Sequence, residues 1–257
     1  DPLFVIDLSD PTNPHVLGKL KIPGYSNYLH PIDETHLIGI GKDAEVSKED
    51  FAYYLGMKLA IFDVSDVENP KLMHSLVVGD RGTDSPALYD HKAFLFDKEK
   101  ELMVLPIQLS EITDSAKKEA EKGGWPAYGE PVFQGAIAYH VSLKDGFEEI
   151  GKITHIDDET NLKSGYYYDY AYQVQRSLLI DDVLYTVSSK MIKANDLSNN
   201  LEEIKAIPFS VISKTFTIQD KIQGVFCVEQ PCSYQEVLIS KAKIKTTSHS
   251  GGEKGYM

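Results

Sequence analysis

Arginine is almost missing from this 257-residue chain: only Arg81 and Arg176 occur, so 26 − 2 = 24 of its basic residues are lysines. A surface built to fork phosphates bidentately draws on guanidinium groups. The net charge of −13 removes the cationic face that nucleic acid or anionic lipid requires, so neither is expected as a partner. Cysteine is nearly as scarce. Cys227 and Cys232 are too few for a disulfide scaffold, and their spacing suits either one small loop or two thiols. No apolar run approaches the roughly 18–20 residues of a membrane-spanning helix, so this segment is not expected to insert into a bilayer. No basic-then-apolar leader opens the chain. The first residue is Asp1 and not Met, in what reads as a strand, so a fragment or mature piece of a longer polypeptide is expected. Hydrophobic residues make up 42%, enough for a sizeable core and against wholesale disorder.

What the chain does have is a repeat. Leu3 to Pro14 and Leu59 to Pro70 align without gaps. In each, an apolar run ends in Asp-x-Ser-Asp, and two residues later comes Asn-Pro: Asp7/Asp10/Asn13-Pro14 and Asp63/Asp66/Asn69-Pro70. Short β-branched and aliphatic runs bounded by Asp, Asn and Pro are strand–turn–strand signals. A degenerate third copy begins at Gly135 and turns through Lys144-Asp145-Gly146, and a fourth begins at Met191. Counted from the motif, each copy holds four strands: near 3–8, 15–22, 27–32 and 36–41 in the first, 59–64, 71–79, 91–96 and 101–107 in the second, and 135–141, 147–155, 173–180 and 183–188 in the third. Four strands in about 40–55 residues is the pattern of a β-propeller blade. No 3.6-residue apolar period supports a helical solenoid, and the gaps are too short for helices between parallel strands. The expected fold is all-β: a propeller of four-stranded antiparallel blades forming an incomplete ring of about three and a half blades over 1–209. A β-like extension or partial blade follows at 210–245, then a flexible tail at 246–257. The remaining blades or domains of the parent chain are expected partners.

The turn motif resembles the blade repeat of cell-surface propellers of the LVIVD type. The stretch 1–209 more closely resembles archaeal and bacterial secreted proteins with a C-terminal β-propeller domain distantly related to WD40 repeats. The matching stretches are Tyr28-Leu29-His30-Pro31 through Lys42, Trp125 through Glu130 with Gln134-Gly135-Ala136, Ile153 to Asp157, and Tyr170 through Leu178. The resemblance implies a secreted or surface-anchored protein and implies no reaction.

In antiparallel blades the connections alternate between two faces. The turns 9–14, 33–35, 65–70, 97–100, 142–146 and 181–182 are short and share one face. The connections 42–58, 80–90, 108–134 and 156–172 are long and share the other. Long connections usually carry function, so recognition is expected on that second face. Its residues are aromatic and acidic: Tyr53 and Tyr54 in the first connection; Trp125 and Tyr128 in the third, beside a short helix within Leu109–Lys122; Asp157, Asp158, Tyr166, Tyr167, Tyr168 and Tyr170 in the fourth. Tyr and Trp bring large area at little rotamer entropy and carry a polar tip. His91, Lys92, Gln175 and Arg176 open strands beside this face and could line a polar pocket, and Arg176 joins the candidate binding residues.

The other chemistries find less. The Asp7/Asp10/Asn13 and Asp63/Asp66/Asn69 triplets carry oxygens of the kind calcium takes, but a device that recurs with every blade is what a capped turn looks like. No Gly-x-Ser-x-Gly elbow, His-Glu-x-x-His or phosphate loop is present. Neither catalytic residues nor a cofactor is expected. The expected role is a binding scaffold presenting a tyrosine-rich acidic face to a protein or a glycan. The alternative is a propeller hydrolase with a metal near the ring axis, its ligands drawn from several blades.

Overall fold

Strands form where the sequence alternates or runs apolar, and turns form where Asp, Asn and Pro interrupt it. The structure is a computed structural model and describes residues 2–46, 52–123, 127–158, 162–164, 167–209, 223–227, 234–240 and 243–248. It divides into two units, Asp1–Pro208 and Phe209–Met257.

The first unit is built of antiparallel meanders. Strands β1 (Leu3–Asp7) and β2 (His15–Leu20) form a pair. Sheet I follows from β3 (Tyr25–Pro31), β4 (His36–Val46), β5 (Ala52–Asp63) and β6 (Lys71–Val78). Sheet II holds β7 (Leu95–Asp97), β8 (Leu102–Glu111), β9 (Glu130–Ser142) and β10 (Gly146–Ile153). A helix, α1 (Asp114–Gly123), lies between β8 and β9 and is the α-helix among the described residues. A small hairpin of β11 (Lys163–Ser164) and β12 (Tyr167–Tyr168) leads into sheet III, made of β13 (Arg176–Ile180), β14 (Val183–Val187), β15 (Met191–Asp196) and β16 (Glu202–Pro208). The second unit is a three-stranded antiparallel sheet of β17 (Gln223–Cys227), β18 (Tyr234–Ser240) and β19 (Lys243–Ser248). Strand β19 takes in Thr246 to Ser248 of the stretch read as a tail, while 249–257 and Cys232 lie outside the described residues.

The fold is all-β, with four-stranded antiparallel blades and no closed ring among the described residues. Three complete sheets and one pair make three and a half blades. Their phase differs from the motif count by two strands: the Asp-Asn-Pro turn joins the third and fourth strands of a sheet (β5–β6), not the first and second. By the same alignment β1–β2 matches β5–β6. A repeat reveals its period, but hydrogen bonding decides where each unit begins.

The turn itself is local chemistry. The Asp63 carboxylate accepts the Ser65 N–H at 2.8 Å, and Asp66 accepts the Glu68 and Asn69 N–H groups. Asp7, Asp10 and Asp196 do the same two residues ahead. The Ser9 N–H draws Asp7 below its usual range, and the Thr12 and Ser198 hydroxyls, then their N–H groups, do so for Asp10 and Asp196.

Sheet II is packed on both faces. Met103, Leu105, Ile107, Leu109, Ile137, Tyr139 and Val141 meet Ile38, Ile40, Met57, Leu59 and Ile61 of sheet I. The alternate residues Leu102, Val104, Ala136 and Ala138 meet Val174, Leu184 and Leu201 on the side of sheet III. That double burial is why Leu102 to Ile107 of β8 read as an unbroken apolar run. Pro106 is tolerated inside β8 because β7 pairs no further than Val104. The next partner on that side is Asp84, opposite Gln108, so the missing N–H falls in the gap between them. The Pro106 carbonyl takes the Ser85 hydroxyl at 2.5 Å instead.

Candidate functional site

In the first unit the even strand count sends every second connection to the same side, whatever the phase. On the short-turn side, Lys100 between β7 and β8 reaches Asp182 between β13 and β14 at 2.7 Å. On the other side the long connections are tied to one another. The segment after β6 is their anchor. Asp80 N–H donates to the Ser110 carbonyl at 2.8 Å, and its carboxylate accepts the Ile112 N–H at 2.7 Å and lies 3.5 Å from Lys117 Nζ on α1. Thr83 Oγ1 both donates to and accepts from the Ser110 backbone at 3.0 Å. Gly129 N–H donates to the Arg81 carbonyl at 2.7 Å. The chain must pass Gly79 at φ +67 to make this turn, with Thr83 and Leu109 crowding the space a side chain would need.

Arg81 itself lies between two rings. Its guanidinium carbon is 4.1 Å from the Tyr128 ring centre and 5.6 Å from that of Tyr53. Tyr128 remains 69% exposed. One strand position on, Tyr54 meets Tyr25 edge-on with ring centres 4.9 Å apart. Tyr25 stands opposite Lys42, and Tyr54 opposite Ala44, which puts both beside β4. Lys42 Nζ lies 3.2 Å from Asp84 Oδ1 and donates to the Thr83 carbonyl. Tyr89, after the 3-10 turn Pro86–Leu88, is the most exposed large side chain of the group at 78%. Burial, with lesser repulsion from Asp84, raises the Tyr89 hydroxyl. Burial, then Tyr54, Tyr89 and Asp84, raises that of Tyr25.

The fourth connection does something else. Tyr168 is buried, and its hydroxyl bonds the Leu109 carbonyl and Ser110 Oγ. Burial outweighs the Ser110 hydrogen bond and pushes its pKa up to about 12. Gln134 Nε2 donates to the Asp169 carbonyl at 2.9 Å, tying the same segment to β9. Tyr170 points outward at 60% exposure. Tyr167 pairs through its backbone with Ser164. Asp157 is exposed and lies 3.4 Å from Lys193 Nζ, which also pairs with Glu203 at 3.0 Å; Asp158 is exposed too. Arg176 pairs with Asp90 Oδ2 at 2.6 Å, joining sheet III to the approach to β7. Trp125 and Tyr166 lie outside the described residues.

Among the described residues, the sequence-predicted ones take separate roles. Tyr53 and Tyr128 meet through Arg81, Tyr54 joins Tyr25, Tyr168 is an internal tie, and Arg176 holds Asp90. The 42–58 connection is mostly strand, since β4 and β5 extend to Val46 and from Ala52. The expected helix starts at Asp114, because Leu109 to Glu111 continue β8. Sequence reasoning missed Arg81, Tyr25, Tyr89 and the Lys42–Asp84 pair. The one signal available was scarcity: both arginines cross-link connections that are far apart in the chain.

Four-stranded antiparallel meanders stacked face to face define a β-propeller segment. The chain belongs to the beta propeller domain family, whose pattern matches residues 1–200. It is 34% identical over 209 residues to an uncharacterised protein of Methanocaldococcus jannaschii, covering 81% of this chain and 25% of that protein. It is 39% identical over 106 residues to an uncharacterised protein of Archaeoglobus fulgidus, covering 41% of this chain and 15% of that one. The chain thus spans a quarter or less of the curated relatives it matches. A crystal structure of a protein from Lactobacillus plantarum is 10% identical with a TM-score of 0.39, over 95% of this chain and 63% of that one.

Proposed function

We propose that this propeller segment is a binding scaffold of a secreted or surface-displayed protein, and that it meets a protein or glycan through its long-connection side. The observation that carries the reading is the clamp of Arg81 between Tyr53 and Tyr128, with the Asp80 and Thr83 ties beneath it. Exposed aromatic side chains on a pre-fixed frame lose little entropy when a partner arrives. The net charge of −13 favours partners other than polyanions. Secretion rests on the resemblance to secreted propeller proteins.

The test compares two surface variants of the full chain, immobilised and challenged with cell-envelope protein and polysaccharide fractions of the source. Replacing Tyr54, Tyr128 and Tyr170 with Ala is expected to abolish capture. Replacing Lys98, Lys144 and Asp182 with Ala on the opposite side is expected to leave it intact. Equal capture by both variants would overturn the assignment.

A further inference from the structure

We infer that the cluster of Tyr25, Tyr54 and Tyr89 beside the Lys42–Asp84 pair, on the long-connection side, is a subsite for a neutral, polyhydroxylated ligand: the sugar rings of an uncharged polysaccharide. The inference rests on the binding role proposed above and names its ligand class.

Met57 and Leu88 are buried in the core cluster shared by sheets I and II. Tyr25 and Tyr54 meet edge-on with ring centres 4.9 Å apart, and Tyr89 and Asp84 lie close enough to Tyr25 to act on its hydroxyl. Gly24, at φ +80, and Gly41 bring β3 hard against β4 here; a side chain on Gly41 would strike the Tyr25 carbonyl. The tyrosines are thus mounted on paired strands and a short helical turn. Tyr54 is 52% exposed and Tyr89 78%, so each offers ring surface to a ligand. The axial C–H face of a sugar stacks on such rings by the same contacts that make tyrosine useful at interfaces.

The charges select the class. Asp84 alone among three tyrosines would suit a cation, because aromatic faces and a carboxylate both attract positive charge. Lys42 Nζ at 3.2 Å already balances that carboxylate. Asp84 Oδ1 is covered and has no aligned hydrogen bond, yet the side chain as a whole is 39% exposed, so its second oxygen meets solvent. An anion would face Asp84, neutral tyrosine rings and a chain of net charge −13. What remains is an uncharged ligand with apolar faces and many hydroxyls. A carboxylate fixed by its own lysine accepts hydrogen bonds from such hydroxyls at no extra ordering cost, and charge-assisted bonds are the stronger kind. A flat protein surface would instead call for a wide apolar patch, and here the rings are flanked by an ion pair.

Native affinity electrophoresis of the full chain tests this, with gels containing a soluble β-glucan, a galactomannan or a polyuronate, and choline as a competing cation. Retardation by a neutral polysaccharide is expected. It should weaken at least about tenfold in the Tyr54→Ala/Tyr89→Ala double variant, severalfold in Asp84→Asn, and remain unchanged in Lys144→Ala, whose side chain is exposed on the short-turn side. Both mutated tyrosines are exposed, so an unchanged melting temperature checks that the fold is intact. Retardation only by the polyuronate, loss of retardation to choline, or undiminished binding by the double variant would overturn the inference. No polysaccharide binding together with tyrosine-dependent capture of a protein would overturn this ligand class and leave the binding face standing. Loss of both would remove both.

Discussion

His155 has no exposed surface, yet both its ring nitrogens are engaged: Nδ1 lies 2.8 Å from Ser188 Oγ and Nε2 2.8 Å from Thr186 Oγ1. Ser188 Oγ already accepts the Lys190 and Met191 N–H groups at 3.1 and 3.2 Å. Its proton goes to Nδ1 or to the Met191 carbonyl, 3.5 Å away. Protonating Nδ1 would set three donors against one hydroxyl oxygen. Burial first, then Lys193, lowers the His155 pKa from 6.5 to about 4, against the opposite pull of Asp157 and Glu203. Between those values the unfolded chain binds the proton and the folded one does not, so stability falls as pH drops from 6.5 toward 4. The loss is on the order of 3 kcal/mol. Asp33 acts in a lower window. Burial would raise its carboxyl, but the Thr35 N–H and His36 outweigh that and hold it at about 2. Its contribution is lost only below its unfolded value of 3.8. Urea melts at pH 7, 5.5 and 4.5 are expected to show the decline, and His155→Gln is expected to flatten it. An unchanged slope in the variant would show that the decline comes from elsewhere.

Among the elements, the hairpin β11–β12 depends on one hydroxyl. The Tyr168 hydroxyl satisfies the Leu109 carbonyl and Ser110 Oγ in a buried setting. Tyr168→Phe is expected to cost about 1–2 kcal/mol in urea denaturation, the usual loss when a buried bond is removed and its partners are stranded. A change below about 0.5 kcal/mol would show that the contact is replaceable. This tyrosine also marks the limit of the sequence. Nothing in the run Tyr166-Tyr167-Tyr168-Asp169-Tyr170 says which ring turns inward, because the partner, Leu109, is 59 residues away. The Asp-x-Ser-Asp turns were legible because their chemistry is complete within seven residues. The blade period was legible for the same reason. The phase was not, since the pairing of β4 with β5 is written in no local signal: Lys42 to Val46 and Tyr53 to Gly56 look as much like a loop as like a strand. Arg81 between Tyr53 and Tyr128 was hidden likewise, by separations of 28 and 47 residues.

At the scale of the first unit, stability concentrates in sheet II. It is the sheet whose two faces both meet other sheets, and Ile137 sits fully buried in its third strand. Ile137→Ala is expected to cost about 2–5 kcal/mol by chemical denaturation. Ile180→Ala, on a side chain 59% exposed in sheet III, should stay within about 0.5 kcal/mol. Comparable losses at the two positions would mean that the sheets do not share a central load in solution.

The even number of strands per sheet in the first unit has a further consequence. Growth at one rim leaves the other untouched, because the polypeptide always comes back to where it left. The stretch between β8 and β9 already accommodates a helix while the hairpin between β9 and β10 stays at three residues, Leu143 to Asp145. Such an architecture can diversify lopsidedly: descendants would acquire new decorations on one border while the opposite border stays trimmed, so length variation between kin should itself point to the side that touches the outside world.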